Sequence, residues 1–367
     1  MKTLHVNLAE HGYSITVGQG LVANAGGLLA KRGFDSPPIV ISNNTVLRLH
    51  GSALMKSIER VFGRTPIIRI GDGERFKNHS TLMKIYDGMF RARADRRSWI
   101  LAFGGGVVGD IAGFAAATFM RGIPYVMVPT TLLAQVDASI GGKVAINVTQ
   151  GKNLVGAFHQ PAAVLSDTAV LKTLPKKELA SGLYEVIKSG AICSEPLLRY
   201  LERNLAGILK CQAAEMEHIV VEAARIKARV VTADEKESGP RMILNYGHTV
   251  GHAFETATDY RRFKHGEAVA WGMIAALEYG RELDLMHSEE TSRLIRLIHQ
   301  VGRLPSLNGI SLNGLWNALG RDKKFRSGNI RMIFLRRFGE AEAHSGIDAV
   351  SLRKFLGRFL AGDKNLA

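Results

Sequence analysis

Short apolar runs that alternate with helical periodicity do most to limit the fold open to this chain. Ile39-Val-Ile41, Pro66 to Ile70, Trp99 to Phe103, Tyr125 to Val128 and Ala163 to Leu165 lack regular polar alternation, so both of their faces need cover. Strands of that kind belong to parallel sheets flanked by helices. Thr45 to Val61 and Ser80 to Ala94 carry helical periodicity between them. Strand, helix, strand in repetition predicts an α/β fold around a parallel sheet. Leu4 to Leu8 and Tyr13 to Val17 are expected to add an antiparallel pair at one edge.

The pattern changes after Leu174-Pro175. Lys177 to Ala191, Glu195 to Asn204, Ala213 to Ala233, Arg241 to Thr258, Glu267 to Leu285 and Ser288 to Gln300 all look helical. A hairpin is expected over Arg331 to Ala341, and a last helix over Asp348 to Leu360. Two domains follow, an α/β one over 1–175 and a mainly helical one over 176–367, and a chain of 367 residues is long for one core.

Composition narrows the function classes. Hydrophobic residues at 46% and charged residues at 22% describe a soluble globular protein. No run approaches the roughly 18 apolar residues of a membrane helix. Met1 to Ile15 lacks the apolar centre of a signal peptide. Cys193 and Cys211 have neither metal nor redox spacing, so a reducing cytoplasm is the expected compartment. The net charge of +15 is spread over scattered residues, with no basic run of five and only 7% aromatics. That favours a basic surface drawing a small anionic substrate over a nucleic-acid face.

Glycine is abundant, at 39 residues in the chain, and is densest between 104 and 156. Gly104-Gly-Gly-Val-Val-Gly-Asp110 lies between a strand and the apolar helical stretch Ile111 to Phe119. Backbone N–H groups at such a turn suit a pyrophosphate, although the spacing is not Gly-x-Gly-x-x-Gly and a tight packing turn is the plainer alternative. Gly71 to Lys77 follows another strand and supplies acids and a lysine where a ribose or adenine could sit. Lys143, Lys152 and Asn153 are read in glycine-rich loops, where they could meet phosphate or carboxylate or simply face solvent. Glu185 and Lys188 are three apart on one helical face, either a salt bridge or a metal-binding acid beside an anion-binding lysine. Asn245 to Glu267 holds His248, His252 and His265 with Glu255, Asp259 and Glu267. His248 and His252, four apart, share a helical face, which suits zinc or a similar ion, or a pair of satisfied interface histidines.

Together these islands resemble the 3-dehydroquinate synthase family over nearly the whole chain. The carriers are Gly104 to Asp110, Arg121-Gly122, Pro129 to Lys143, Gly151 to Pro161, Glu185 to Lys188 and Asn245 to Glu267. The resemblance implies an N-terminal α/β domain with a Rossmann-like parallel sheet and a mainly α-helical C-terminal domain. It implies NAD and one divalent metal, Zn2+ with Co2+ as an alternative. It also implies conversion of 3-deoxy-D-arabino-heptulosonate 7-phosphate to 3-dehydroquinate and phosphate, by transient oxidation, β-elimination, reduction and intramolecular aldol closure in the shikimate pathway. The metal ligands it implies are Glu185, His248 and His265, with His252 at the substrate instead. Asp137, Lys143, Asn153, Lys188, Lys227, Arg241 and Asn245 match further substrate residues, joined by Lys152 and one of Lys323 or Lys324. Arg121 matches an arginine that crosses a dimer interface, so a homodimer is expected. For NAD the matching positions are Asp72, Gly73, Glu74, Lys77, Gly105, Gly106, Val107, Asp110, Thr130 and Thr131, bordered by Lys152 and Thr173.

The chain departs from the family's pattern at Val144-Ala145, where threonine-glycine is common, at Tyr184, where alanine is usual, and at Ser189, which replaces a common tyrosine. These departures touch rate and substrate fit more than reaction type. Rival readings are another sugar phosphate cyclase or a metal-dependent polyol dehydrogenase. Asp137 to Lys143 and Gly151-Lys-Asn153 favour dehydroquinate formation over both.

Overall fold

A computed structural model describes residues 1–9, 11–237, 239–320 and 330–362. The chain divides into two compact units, residues 1–175 with 210–236, and residues 176–209 with 237–367.

The first unit is built on seven strands: β1 (Lys2–Val6), β2 (Tyr13–Gly18), β3 (Ile39–Asn43), β4 (Ile67–Ile70), β5 (Ile100–Gly104), β6 (Tyr125–Pro129) and, after the hairpin described below, β9 (Ala163–Asp167). Their order is β1-β2-β9-β6-β5-β3-β4. Every pairing is parallel except the edge pair β1–β2. Strands β5, β6 and β9 are buried along their whole length, the burial that unbroken apolar runs demand. Val40, Leu101, Phe103, Val126, Val128 and Leu165 join Leu54 and Ile58 of a flanking helix in one core. Each such side chain contributes roughly 1.5–3 kcal/mol by leaving water.

The helices of this unit before residue 175 are α1 (Ala25–Ala30), α2 (Asn44–Val46), α3 (Ser52–Phe62), α4 (His79–Arg91) and α5 (Gly106–Thr118). From β3 the chain goes to β4 on one side, then returns to place β5 on the other side. The carboxyl ends of β3 and β5 therefore flank a topological switch point, where open α/β sheets leave a crevice for ligands.

Residues expected in loops form strands. Lys143 begins β7 (Lys143–Val148), and Lys152 and Asn153 lie on β8 (Gly151–Phe158), an antiparallel hairpin outside the main sheet. Most of β8 is exposed, so it offers no apolar alternation to read. Glycine is needed at Gly156, where a Cβ would stand 2.3 Å from the Val144 carbonyl oxygen across the pair.

The single cut expected after residue 175 differs from the observed division in one element. Following α6 (Lys176–Cys193) and α7 (Glu195–Leu209), helix α8 (Ala213–Ala233) belongs to the first unit. Its buried side, including Met216, Ile219, Val220 and Val231, packs on β1, β2 and the turns at Ala134–Ala138 and Thr168–Thr173. Helical periodicity announces an apolar face but not the core that face will join.

The second unit holds α6, α7, α9 (His248–Ala257), α10 (His265–Glu282), α11 (Ser288–Val301), α12 (Leu312–Leu319), a hairpin of β10 (Arg331–Arg337) and β11 (Glu340–Ser345), and α13 (Ala349–Gly362). The helix expected over Arg241 to Thr258 is two elements, a 3-10 turn (Pro240–Asn245) and α9. They part at Gly247, whose φ of +76° is left-handed and suits glycine. Helix α10 is buried almost throughout, and small residues let it come close to its neighbours. A Cβ on Gly272 would stand 1.8 Å from the Gly247 carbonyl oxygen.

Candidate functional site

In the second unit, two glycine-mediated contacts bring three ligand-bearing segments together. The Gly272 crossing holds α9 to α10, and Gly266 rests on α6, where a Cβ would meet the Ser181 carbonyl oxygen at 2.0 Å. The Gly266 N–H donates to Ser181 Oγ at 3.0 Å. His265, the first residue of α10, is thereby set beside Glu185, one helical turn beyond Ser181 on α6.

Glu185 is 1% exposed, and its Oε1 lies 3.7 Å from His248 Nε2 and 3.6 Å from His265 Nε2. Those distances are long for hydrogen bonds. They are close to the ligand separation of about 3.4 Å that a tetrahedral ion imposes with bonds of about 2.0–2.2 Å. Among the described residues neither Glu185 oxygen accepts a hydrogen bond of good geometry, although Lys188 Nζ is 2.5 Å from Oε2. A buried carboxylate needs a positive partner, with hydrogen bonds or a metal ion for its remaining lone pairs. Lys188 supplies one, and the two imidazole nitrogens frame a place for another. This donor set fits a divalent ion such as zinc or cobalt.

Each framing ring is oriented through its other nitrogen. His248 Nδ1 lies 3.1 Å from the Tyr246 carbonyl oxygen, and His265 Nδ1 lies 3.4 Å from Glu255 Oε2. Burial, reinforced by the charges of Lys188, His252 and His265, holds the His248 pKa well below the ordinary imidazole range. The ring is therefore neutral near pH 7, with an electron pair on Nε2 once Nδ1–H is given to Tyr246. His252 joins the group rather than standing apart. Its ring centroid is 5.2 Å from that of His248 and 5.8 Å from that of His265. One nitrogen from each of the three rings lies within 4.8 Å of the others. His252 is the exposed member. Arg241 is buried in the 3-10 turn, and Asn245 Nδ2 donates to Glu237 Oε1 at 2.7 Å. Tyr184 is a core residue whose hydroxyl lies 3.5 Å from the Gly302 carbonyl oxygen. Lys323 and Lys324 lie outside the described residues.

The first unit gathers a second group at its switch point. Strand β5 runs into Gly105, the N-cap of α5, so Gly106, Val107 and Asp110 occupy the opening turns of a 13-residue helix. A Cβ at Gly105 would come within 3.0 Å of the Thr131 side chain. The Thr130 N–H donates to the Gly104 carbonyl at 2.9 Å, which ties the end of β6 to this turn. The loop after β4 brings Asp72, Gly73 (φ +97°), Glu74 and Lys77. Lys77 is buried, pairs with Asp110, and stands 2.5 Å from Asn153 Oδ1. Asn147 accepts from the Asn153 N–H at 3.0 Å and donates to Glu74 at 2.8 Å, so the hairpin is fastened to this loop. Burial raises the Asp110 pKa, opposed by the Lys77 charge.

Asp137 pairs with Lys227 of α8, whose Nζ is also 2.7 Å from the Asp137 carbonyl oxygen. Thr173 Oγ1 meets His50 Nε2 at 2.8 Å. Lys143 and Arg121 are exposed, and Lys152 is half-buried. The structure thus unites Lys77, Asp110 and Asn153, residues the sequence divides between cofactor and substrate. The sequence gives no role to Ser181, to the Tyr246 carbonyl or to Glu255. Of these only Glu255 carried a signal, as an acid one turn beyond His252.

Comparison with known proteins adds to this geometry. Residues 67–181 match the family model for the 3-dehydroquinate synthase N-terminal region, and residues 182–325 match that for the C-terminal region. A 3-dehydroquinate synthase from Pelotomaculum thermopropionicum is 45% identical over 358 residues, covering 97% of this chain and 96% of the relative. Among solved structures, 2-deoxy-scyllo-inosose synthase complexed with carbaglucose-6-phosphate, NAD+ and Co2+ superposes with a TM-score of 0.88 at 26% identity, covering 97% of this chain and 99% of that one. The 2-epi-5-epi-valiolone synthase from Streptomyces hygroscopicus subsp. jinggangensis 5008, with NAD+ and Zn2+ bound, gives a TM-score of 0.86 at 26% identity with the same coverage.

Proposed function

The chain belongs to the 3-dehydroquinate synthase family, and from that premise we propose that it converts 3-deoxy-D-arabino-heptulosonate 7-phosphate to 3-dehydroquinate and phosphate. The observation that carries the reading is buried Glu185, with one oxygen facing two imidazole nitrogens and the other facing Lys188. Glu185, His248 and His265 would hold one divalent ion, zinc or cobalt. The Gly105–Asp110 turn, with Asp72 to Lys77, Thr130, Thr131 and Thr173, would hold NAD. When bound, NAD supplies a reversible two-electron acceptor and the ion supplies a Lewis acid for substrate hydroxyls.

The chain's own groups do the rest. The substrate bears a phosphate and a carboxylate, and Lys143, Lys152, Lys227 and Arg241 are cations suited to them. Asn153 and Asn245 add neutral hydrogen-bonding groups, and Asp137 keeps Lys227 extended through their ion pair. The resemblance adds Lys323 or Lys324 to the phosphate contacts. Loss of phosphate requires removal of a proton from the carbon next to a ketone, and His252 is the protein's candidate relay, shared with the departing phosphate itself. Lys188 is the positive partner that Glu185 Oε2 faces.

We also place the enzyme in the cytoplasm as a homodimer. No helix among the described residues is long and apolar enough to cross a membrane. Leu154, Val155 and Phe158 on β8, with Met120 beside Arg121, are exposed apolar surface that a second copy could cover.

Two measurements follow. Stripping the metal with a chelator is expected to stop phosphate release from the heptulosonate phosphate, and zinc or cobalt to restore it. Undiminished release without metal would sink the proposal. Lys77→Met is expected to raise the Kd for NAD about tenfold or more and to cost roughly 2–4 kcal/mol of stability at pH 7, because Asp110 loses its cation. The sign of its pH dependence follows from the raised Asp110 pKa. The stability of a fold that raises an acid's pKa is fullest below the unfolded value and is lost as pH rises through the folded one. Losing Lys77 strengthens that effect, so the gap between wild type and variant in urea titrations should narrow from pH 7 to pH 5. A gap that widens would contradict it.

A further inference from the structure

Three carboxylates accompany the histidines of the 245–267 stretch, and the structure gives them different circumstances. Glu267 accepts the Lys264 N–H at 2.8 Å and caps α10. Asp259 is exposed, just beyond the end of α9. Glu255 is 4% exposed and sits in the last turn of α9. That is a poor place for an acid, because the carbonyl end of a helix repels negative charge and burial removes the water that would solvate it. Neither helix stability nor solvation accounts for the choice of residue.

The contact with His265 does. Glu255 Oε2 lies 3.4 Å from His265 Nδ1, on the opposite side of the ring from the Nε2 that faces Glu185. His265 begins a helix and its side chain is 32% exposed, with its ring 5.4 Å from that of His248 and 5.8 Å from that of His252, contacts that do not distinguish its two nitrogens. Imidazole turns broadly about its terminal torsion, and half a turn would exchange its two nitrogens. His248 has the backbone carbonyl of Tyr246 against this turn, and His265 has Glu255. A carboxylate on Nδ1–H selects the tautomer with a free pair on Nε2 and makes that nitrogen more basic.

We propose that Glu255 is a positioning residue that fixes the His265 ring with Nε2 toward Glu185, and so sets the affinity and geometry of the metal site. The proposal rests on the reading that Glu185, His248 and His265 are the ligands. Its test uses the full chain and reads zinc Kd by competition with a chelator, together with the visible absorption of the Co2+-loaded protein. Glu255→Ala is expected to weaken zinc binding about 10–100-fold and to change the cobalt spectrum. Glu255→Gln has the same shape and retains an acceptor. It is expected to lose only about fivefold and to keep a spectrum near that of wild type, which leaves the proposal testable where alanine fails to fold. A lowered thermal midpoint with zinc affinity and spectrum unchanged in both variants would mean a structural role and overturn it. His265→Ala separates the two claims. If that variant binds zinc as tightly as wild type, the ligand reading itself fails. If it loses zinc while both Glu255 variants keep it, the ligands stand and the positioning role falls.

Discussion

Replacing Glu185 with alanine is expected to lower kcat/KM by about 10³-fold or more and to leave the purified protein without its divalent ion. The fall corresponds to about 4 kcal/mol, the scale of charge stabilisation a metal ion contributes to a transition state. Glu185 is the only proposed ligand outside the 245–267 stretch, and its anion is what would make a site with two neutral imidazoles bind a cation strongly. The substitution has a second consequence. Lys188 is 2% exposed and would be left without its counter-charge, at a cost of roughly 3–5 kcal/mol. A Glu185→Ala, Lys188→Met double variant removes both charges. It should regain much of that stability while recovering neither metal nor activity. Metal content and urea titration on the two proteins separate the effects, and a single variant that retains stoichiometric zinc would contradict the assignment.

The second large effect is steric. Gly272→Ala places a Cβ 1.8 Å from the Gly247 carbonyl oxygen and 2.8 Å from the Gly251 nitrogen, all backbone with no flexible end to yield. Helices α9 and α10 must move apart, at an expected cost of about 3 kcal/mol or more. For a unit of this size the thermal midpoint should drop by roughly 6–12 °C. The same crossing sets His248 against His265, so zinc affinity should fall as well. Gly302→Ala is the control: its φ of 168° is extended and no atom lies within 4 Å of the new Cβ. It should stay within about 0.5 kcal/mol of wild type. Equal midpoints for the two alanine variants would show that the crossing does not constrain the fold.

Much of the sheet was legible because β5, β6 and β9 are buried on both faces, and such strands must be apolar throughout. The glycine turn after Phe103 was legible too, since a strand, glycines and a helix start carry their own geometry. Other elements hid for physical reasons. Exposed β8 has no buried face to mark it, and α8 displays a helix without naming its core. The break at Gly247 depends on a backbone angle set by the approach of α10.

The site divides in the same way. The four-residue spacing put His248 and His252 on one face, and the structure keeps both rings in one cluster. Spacing therefore could not decide between them, and the distinction came from family resemblance. The meeting of Glu185 with His265 needs the Ser181–Gly266 contact between distant segments. The union of Lys77 with Asp110 and Asn153 likewise joins a loop, a helix and a hairpin that are remote in sequence.

The most direct measurement is a product balance on the zinc-loaded protein supplied with the heptulosonate phosphate and NAD. Phosphate and 3-dehydroquinate should form in equal amounts while NADH does not accumulate, because the cofactor returns to its oxidised state in every turnover. Absence of phosphate release with metal and NAD present, or NADH rising in step with product, would contradict the account.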